Sequence, residues 1–332
     1  MISLKEIGKI CGLSESTVSK ALKSAPGIRK ATIERVKEVA RLHGYQPNAM
    51  VECIQSGRSR SVGIAFNRFQ CEFAGAIMEG IYQVLHDADY DSYLIPWDKL
   101  VRDEADLFAK FTHRRVDGLL LFPMEKMPGE RELSALRKFH NPIVLVDFEA
   151  PDAGFDTVVS DNGACFPFLI EQLVKRGRRK IGLVSYSKVQ NGIERKNAFL
   201  AAMKQRKLSV NRNFCVELGD CWNEAYLRVS DMLKGKSRPD ALICFNDYVA
   251  NDVLDAAYDL NLRVPEELSV IGFGNLPLTM RVRPRLATVE QTPYELGRAA
   301  AELLIKRITG QEKGPAKKIV IPTEFIKRES IE

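Results

Sequence analysis

SLKEIGKICGLSESTVSKAL occupies residues 3–22, and its spacing decides how the chain begins. Ser3-x-x-Glu6 is a capping box, and Leu4, Ile7 and Cys11 follow at helical intervals of three and four. Gly12 is a helix stop. Ser14 opens a second helix with Val18, Ala21 and Leu22 on one face. Pro26-Gly27 then breaks the chain, and a third helix is expected from about Lys30 to His43 with Ile33, Val36, Val39 and Ala40 inward and Gly44 as its stop. Two short helices joined by Cys11-Gly12-Leu13 make a helix-turn-helix, a motif whose second helix lies in the major groove of DNA.

Charge supports that reading. The chain of 332 residues carries a net charge of +6, and residues 1–60 hold eleven Lys or Arg against five Glu. The other 272 residues balance at 38 of each sign. A small basic module on a neutral body is an electrostatic footprint for nucleic acid.

From Ser61 onward short apolar runs alternate with amphipathic stretches. Val62–Phe66 leads into a helix from Phe73 to about Asp87, Tyr93–Pro96 into Asp103–Phe111, and Gly118–Phe122 into Arg131–Phe139. Ile143–Asp147 ends a first half. The pattern restarts with Ile181–Val184, a helix at Arg195–Arg206, and a strand near Cys215–Glu217 before a helix at Glu224–Leu233. Ala241–Phe245 then precedes Ala250–Leu260, and Ser269–Gly272 follows. This alternation predicts an α/β body of doubly wound parallel sheets, with ligands at the carboxyl ends of the strands.

Several classes are excluded by absence of their signals. No apolar run approaches the roughly 18 residues of a membrane span, and Met1-Ile2-Ser3-Leu4 does not open a secretory signal. The seven cysteines include no C-x-x-C pair, and no H-E-x-x-H accompanies the four histidines, so neither a zinc site nor a disulfide framework is expected. A phosphate loop and a G-x-S-x-G elbow are missing, and Gly272-Phe273-Gly274 lacks the third glycine of a dinucleotide fingerprint. The expectation is a cytoplasmic, non-enzymatic protein without cofactor or metal. Two other functions fit parts of the pattern: a solute-binding protein, and an enzyme carrying a DNA-binding head.

Residues 3–22 together with RVKEVARLHGYQPNAM at 35–50 resemble the DNA-binding head of the lactose-repressor (LacI/GalR) family. RRVDGLLLFP, PDALICFND and IPTEFIKRES stand at family-like intervals, so the resemblance runs the length of the chain. It implies a helix-turn-helix domain at 1–46, a hinge at 47–60, and a two-lobed periplasmic-binding-protein type I-like body at 61–332 for effector binding and dimerisation. It also implies a transcriptional repressor that binds a near-palindromic double-stranded DNA operator as a homodimer, under the control of a sugar or related metabolite.

The resemblance assigns roles residue by residue. Glu15 and Ser16 would read base edges, as would Lys20, where the family most often has Arg. Thr17 and Ser19 would contact phosphate beside Ser14 at the helix start. Asn48 and the hinge residue Ile54, at the family's minor-groove leucine, complete the DNA set; Val51 and Ile54 are β-branched and weaken an isolated hinge helix. The effector cleft would draw on Phe73, Phe122, Asp147, Arg195, Trp222, Asn246 and the Gly274-Asn275 turn. Phe73 and Trp222 would stack on a sugar or base, with Arg195 and Asn246 hydrogen-bonding it. Gly274 departs from the family's usual Asp, an acceptor for sugar hydroxyls, so either Asn275 replaces it or the ligand differs.

Overall fold

The computed structural model describes residues 2–46, 57–66, 71–96, 111–122, 130–150, 153–219 and 224–332. The chain divides into two compact units, one ending at Ser59 and one starting at Arg60.

Among its described residues the first unit holds three helices, α1 (Leu4–Cys11), α2 (Glu15–Leu22) and α3 (Lys30–Leu42). Ser3 accepts from the Glu6 amide at 3.3 Å while Glu6 accepts from the Ser3 amide at 2.8 Å, closing the capping box. Gly12 ends α1 with φ 67°. Ile7, Cys11, Val18, Ala21, Val36 and Ala40 form the buried centre, one or more from each helix. So small a core holds only because every helix contributes its apolar stripe and the first two are capped.

The second unit begins with β1 (Ser61–Phe66), α4 (Glu72–Asp87), β2 (Asp91–Pro96), β3 (Gly118–Phe122), α5 (Glu130–Arg137), β4 (Ile143–Val146) and β5 (Asp156–Ser160). It continues with α6 (Phe166–Lys175), β6 (Ile181–Tyr186), α7 (Gln190–Gln205), β7 (Cys215–Leu218), α8 (Glu224–Lys234), β8 (Ala241–Cys244), α9 (Asp247–Asp259) and β9 (Ser269–Ile271). Last come β10 (Thr288–Glu290), α10 (Pro293–Thr309), β11 (Lys318–Ile321) and β12 (Glu324–Ile326).

The strands build two lobes. One sheet runs β11-β5-β4-β3-β1-β2 and the other β7-β6-β8-β9, with every pair parallel; β10 and β12 form a separate antiparallel pair. β1, β3, β4 and β5 are buried along their whole length, as strands covered on both faces must be. The chain passes between lobes three times, at β5–α6, β10–α10 and β11–β12.

β5 and β11 extend the first sheet beyond the strands read from the sequence, and α7 starts five residues earlier than expected. The expected helix at Asp103–Phe111 lies outside the described residues except for Phe111, which is buried.

α10 returns to the first lobe and lies against α4. Their backbones approach so closely that a Cβ at Gly80 would sit 2.1 Å from the Tyr294 carbonyl oxygen, and one at Gly297 would sit 2.0 Å from that of Ile77. Reciprocal glycines therefore set the spacing, while Ile77, Ile81, Leu296, Ala300 and Leu304 fill the seam. Gly297→Ala should force the helices apart and lower stability by about 1–3 kcal/mol, as overpacking does. Thermal unfolding checks this, and an unchanged midpoint would show that the seam has slack.

Candidate functional site

Two surfaces of the chain bear chemistry, one in each unit. In the first, Ser14 accepts from the Thr17 amide at 3.2 Å and its hydroxyl lies 2.8 Å from that of Thr17. This cap fixes where α2 starts. Val18 and Ala21 face the core, which turns Glu15, Ser16 and Lys20 to solvent; Thr17 and Ser19 are half-buried at the edge. Ser16 and Lys20 are four apart and share a face of the helix. Ser14 is exposed as well. Asn48 and Ile54 lie outside the described residues.

The second surface is a cavity of about 760 Å³, mouth included, between the lobes of the body. Strand ends supply its walls, as the parallel sheets require. Asp147 and Phe148 follow β4, Phe245 and Asn246 follow β8, and Phe273, Gly274 and Leu276 follow β9. Phe73 comes from the start of α4, Gln190, Asn191 and Arg195 from α7, and Tyr248 from α9.

Arg195 is 3 % exposed. Its Nε donates to Asn162 Oδ1 at 2.9 Å and one Nη to the Phe245 carbonyl. The guanidinium lies 3.7 Å from the Phe273 ring centroid and 4.8 Å from that of Phe245. Burial pulls its pKa down to about 10, with the Asp147 charge partly opposing. Asp147 follows the end of β4 with φ 54° and is one of the residues that line the cavity. Oδ2 accepts from Asn191 Nδ2 at 2.9 Å, whereas Oδ1 is buried without a hydrogen-bond partner. Burial raises the Asp147 pKa to about 6, against the pull of Arg195.

Asn191 thus bonds across the cleft, and two other bonds do the same. The Glu149 amide donates to Gln190 Oε1 at 2.9 Å, and the Tyr248 hydroxyl donates to Glu72 at 3.5 Å.

Of the effector residues expected from sequence, the structure brings together Phe73, Asp147, Arg195 and Asn246. Phe122 is not on the wall. It is buried in the first lobe behind Phe73, with ring centroids 6.5 Å apart. Asn275 points away, its amide donating to Glu290 and accepting from Arg328 at 2.6 Å. Trp222 lies outside the described residues. Sequence reading missed Phe148, Gln190, Asn191, Phe245, Tyr248, Phe273, Leu276 and Gln291. Phe148, Phe245 and Phe273 adjoin strand-end residues already singled out, so the strand-end rule could have found them.

Gly274 has φ 133°, a conformation open essentially to glycine alone. A Cβ there would lie 3.1 Å from Asp247 Oδ2. Asp247 is fully buried, accepting from the Thr288 hydroxyl at 2.5 Å and the Leu276 amide at 2.8 Å. The turn is built for glycine, and the missing carboxylate could not simply be restored.

A helix-turn-helix head and a two-lobed, periplasmic-binding-protein-like body with an interlobe cavity define the class. Residues 3–48 match the model of the bacterial regulatory proteins of the lacI family, and residues 170–331 match that of the periplasmic binding protein-like domain. The chain thus carries a lacI-family helix-turn-helix domain followed by a periplasmic-binding-protein-like domain. It is 27% identical over 335 residues to the HTH-type transcriptional repressor PurR of Proteus mirabilis, covering 100% of this chain and 97% of that one. Among solved structures, the lac repressor dimer bound to operator and the anti-inducer ONPF shares its fold with a TM-score of 0.87 at 18% identity, over 99% of both chains. The transcriptional regulator CelR–cellobiose complex gives 0.74 at 21%, over 99% of this chain and 100% of that one.

Arg195→Ala should lower stability by about 3–5 kcal/mol, because it leaves the buried Asp147 charge uncompensated and two acceptors without donors. Chemical denaturation measures this. A loss under about 1 kcal/mol would mean that water replaces the guanidinium.

Proposed function

We propose that the chain is a cytoplasmic, sequence-specific transcriptional repressor that binds a near-palindromic operator as a homodimer and responds to a small ligand in the interlobe cavity. The observation that carries this is the capped helix α2, which presents Glu15, Ser16 and Lys20 to solvent within the segment that holds the whole net positive charge. An ammonium at Lys20 can donate to guanine O6 or N7, and Glu15 can accept from a cytosine amine. The helix N-terminus beside Ser14 and Thr17 suits phosphate. Residues 1–46 act as the DNA-binding domain in this reading, 47–60 as hinge, and 61–332 as the effector-binding and dimerisation body.

Dimerisation has support in the body. β2 is the last strand of the six-stranded sheet among the described residues and leaves Tyr93 and Leu94 exposed, with Tyr82 exposed on α4. Leu227, Tyr258 and Met280 are exposed on the second lobe. An uncovered apolar edge invites pairing, and a second copy would cover it. One head reads a half-site, so a dimer reads two.

The test is binding-site selection followed by salt titration. The selected site should be two-fold symmetric and affinity should fall steeply with salt through counterion release. Lys20→Ala and Glu15→Ala should change the preferred sequence by about 1–3 kcal/mol of discrimination at one position each. Thr17→Ala should weaken all sites alike, since its hydroxyl is tied to the cap. If all three variants select the wild-type motif, α2 is not the reading helix.

A further inference from the structure

We propose that the end of the second sheet opposite the cleft is a second nucleic-acid surface, one that holds the phosphate backbone of a DNA duplex without regard to sequence. The observation behind it is a charge asymmetry within the neutral body. Four segments, 175–180, 204–214, 234–240 and 260–268, lead into β6, β7, β8 and β9. Together they hold thirteen Lys or Arg against three carboxylates, Asp240, Glu266 and Glu267. Residues 61–332 carry 38 charges of each sign, so the remainder of the body is acidic.

The topology brings these segments to one face. β7, β6, β8 and β9 are parallel neighbours, and Ile181, Ala241 and Ser269 stand side by side at the strand starts. Helices α6 and α7 cover one side of this sheet, α8 and α9 the other. Strands about 4.8 Å apart between two helix layers make an edge on the order of 15 by 30 Å, wide enough for several phosphates. The segments are also tied to each other. Asp240 accepts from the Arg179 and Lys180 amides, each at 3.0 Å. Arg178 donates to the Ser269 hydroxyl and to the Glu266 carbonyl, each at 3.0 Å. Glu171 on α6 pairs with both Lys175 and Arg206 at 2.7 Å. The face is set before any partner arrives.

Enough charge is left for that partner. Glu267 takes Arg238 and Arg263, and Asp231 takes Lys234. Lys180, Lys204, Lys207, Arg212 and Lys236 are exposed and form no ion pair among the described residues. What the face lacks selects the partner. Phe214, its one aromatic residue, is buried, so no ring is offered to the bases of a single strand. None of its apolar side chains is exposed, whereas insertion into a membrane surface or the centre of a protein interface needs them. Separate ammonium groups lack the planar fork that reads base edges and suit phosphate instead. Duplex DNA, with one charge per about 1.7 Å of axis, is the polyanion such a face fits. A duplex held there would let one molecule touch two DNA segments, the other through α2.

Lysine acetylation of the full-length protein, read by mass spectrometry with and without a mixed-sequence duplex of about 30 base pairs, tests this directly. In low salt the duplex should slow labelling of Lys180, Lys204 and Lys236 about threefold or more, and added salt should restore it. Lys188, exposed at the cleft end of the same sheet, should label alike in both samples. Replacing the three together, Lys180→Gln, Lys204→Gln and Lys236→Gln, should flatten the slope of log affinity for the duplex against log salt by about 2–3, near 0.9 per lost phosphate contact. The labelling needs no variant, so it decides the matter even if the triple variant fails to fold. Equal labelling with and without the duplex, or an unchanged salt slope in the folded triple variant, would overturn the proposal. So would protection of the same lysines by a single-stranded oligonucleotide, polyglutamate or phosphatidylserine vesicles at lower concentration than the duplex needs.

Discussion

A carboxylate and a guanidinium withdrawn from water at one cavity impose the main constraint on this body. Taking each ion out of water costs several kcal/mol, which only close partners can offset. Asp147 stands at the end of β4 in one lobe and Arg195 on α7 in the other, so the partners must come from both. Asn162, at the first passage between lobes, accepts from Arg195 and donates to Asn191, which in turn donates to Asp147. The chain of bonds is nearly complete. One oxygen of Asp147 is left over, buried without a hydrogen-bond partner.

The parallel sheets explain why the charges meet there. Strands of both lobes end at the cleft, and a residue leaving a strand end is free of the ladder and available to the cavity. α10 and β11 belong to the first lobe although they follow the second in sequence, so three passages join the lobes. Lobes with separate cores, linked by a few hydrogen bonds across a cavity, can change orientation without repacking either core. A ligand that binds one orientation better than another shifts that balance, and this is the physical route from cavity to operator in the proposed function.

The sequence was most legible where local chemistry decides structure. α1 and α2 fall where Ser3 and Ser14 announce caps, and the buried strands fall on unbroken apolar runs. α7 was read late because Val189 offers no side-chain cap and Gly192 resembles a breaker. Gly192 is there for contact instead, since a Cβ would lie 1.9 Å from the Tyr186 carbonyl oxygen. That late start hid Gln190 and Asn191, which close the cleft. β11 alternates between exposed and half-buried residues, so it lacks the apolar run of a covered strand. Asn275 was placed by analogy with its position, but its amide is claimed by Glu290 and by Arg328, which is 53 residues further on. No local pattern reports such contacts. Asp147 was legible as a strand-end carboxylate; its unpartnered oxygen was not.

The most direct test of this account is a carbon-13 NMR titration of the side-chain carboxyls in the ligand-free protein, with Asp147→Asn to assign the signal. Burial against aromatic walls puts the Asp147 midpoint near pH 6, well above the 3.8 of a solvated aspartate, with Arg195 only partly opposing the rise. A resonance that titrates near pH 6 and vanishes in the variant would establish a desolvated carboxylate between the lobes. A midpoint at or below the ordinary value would mean that water or Arg195 already satisfies Oδ1, and burial of this carboxylate would then not be the constraint on the body.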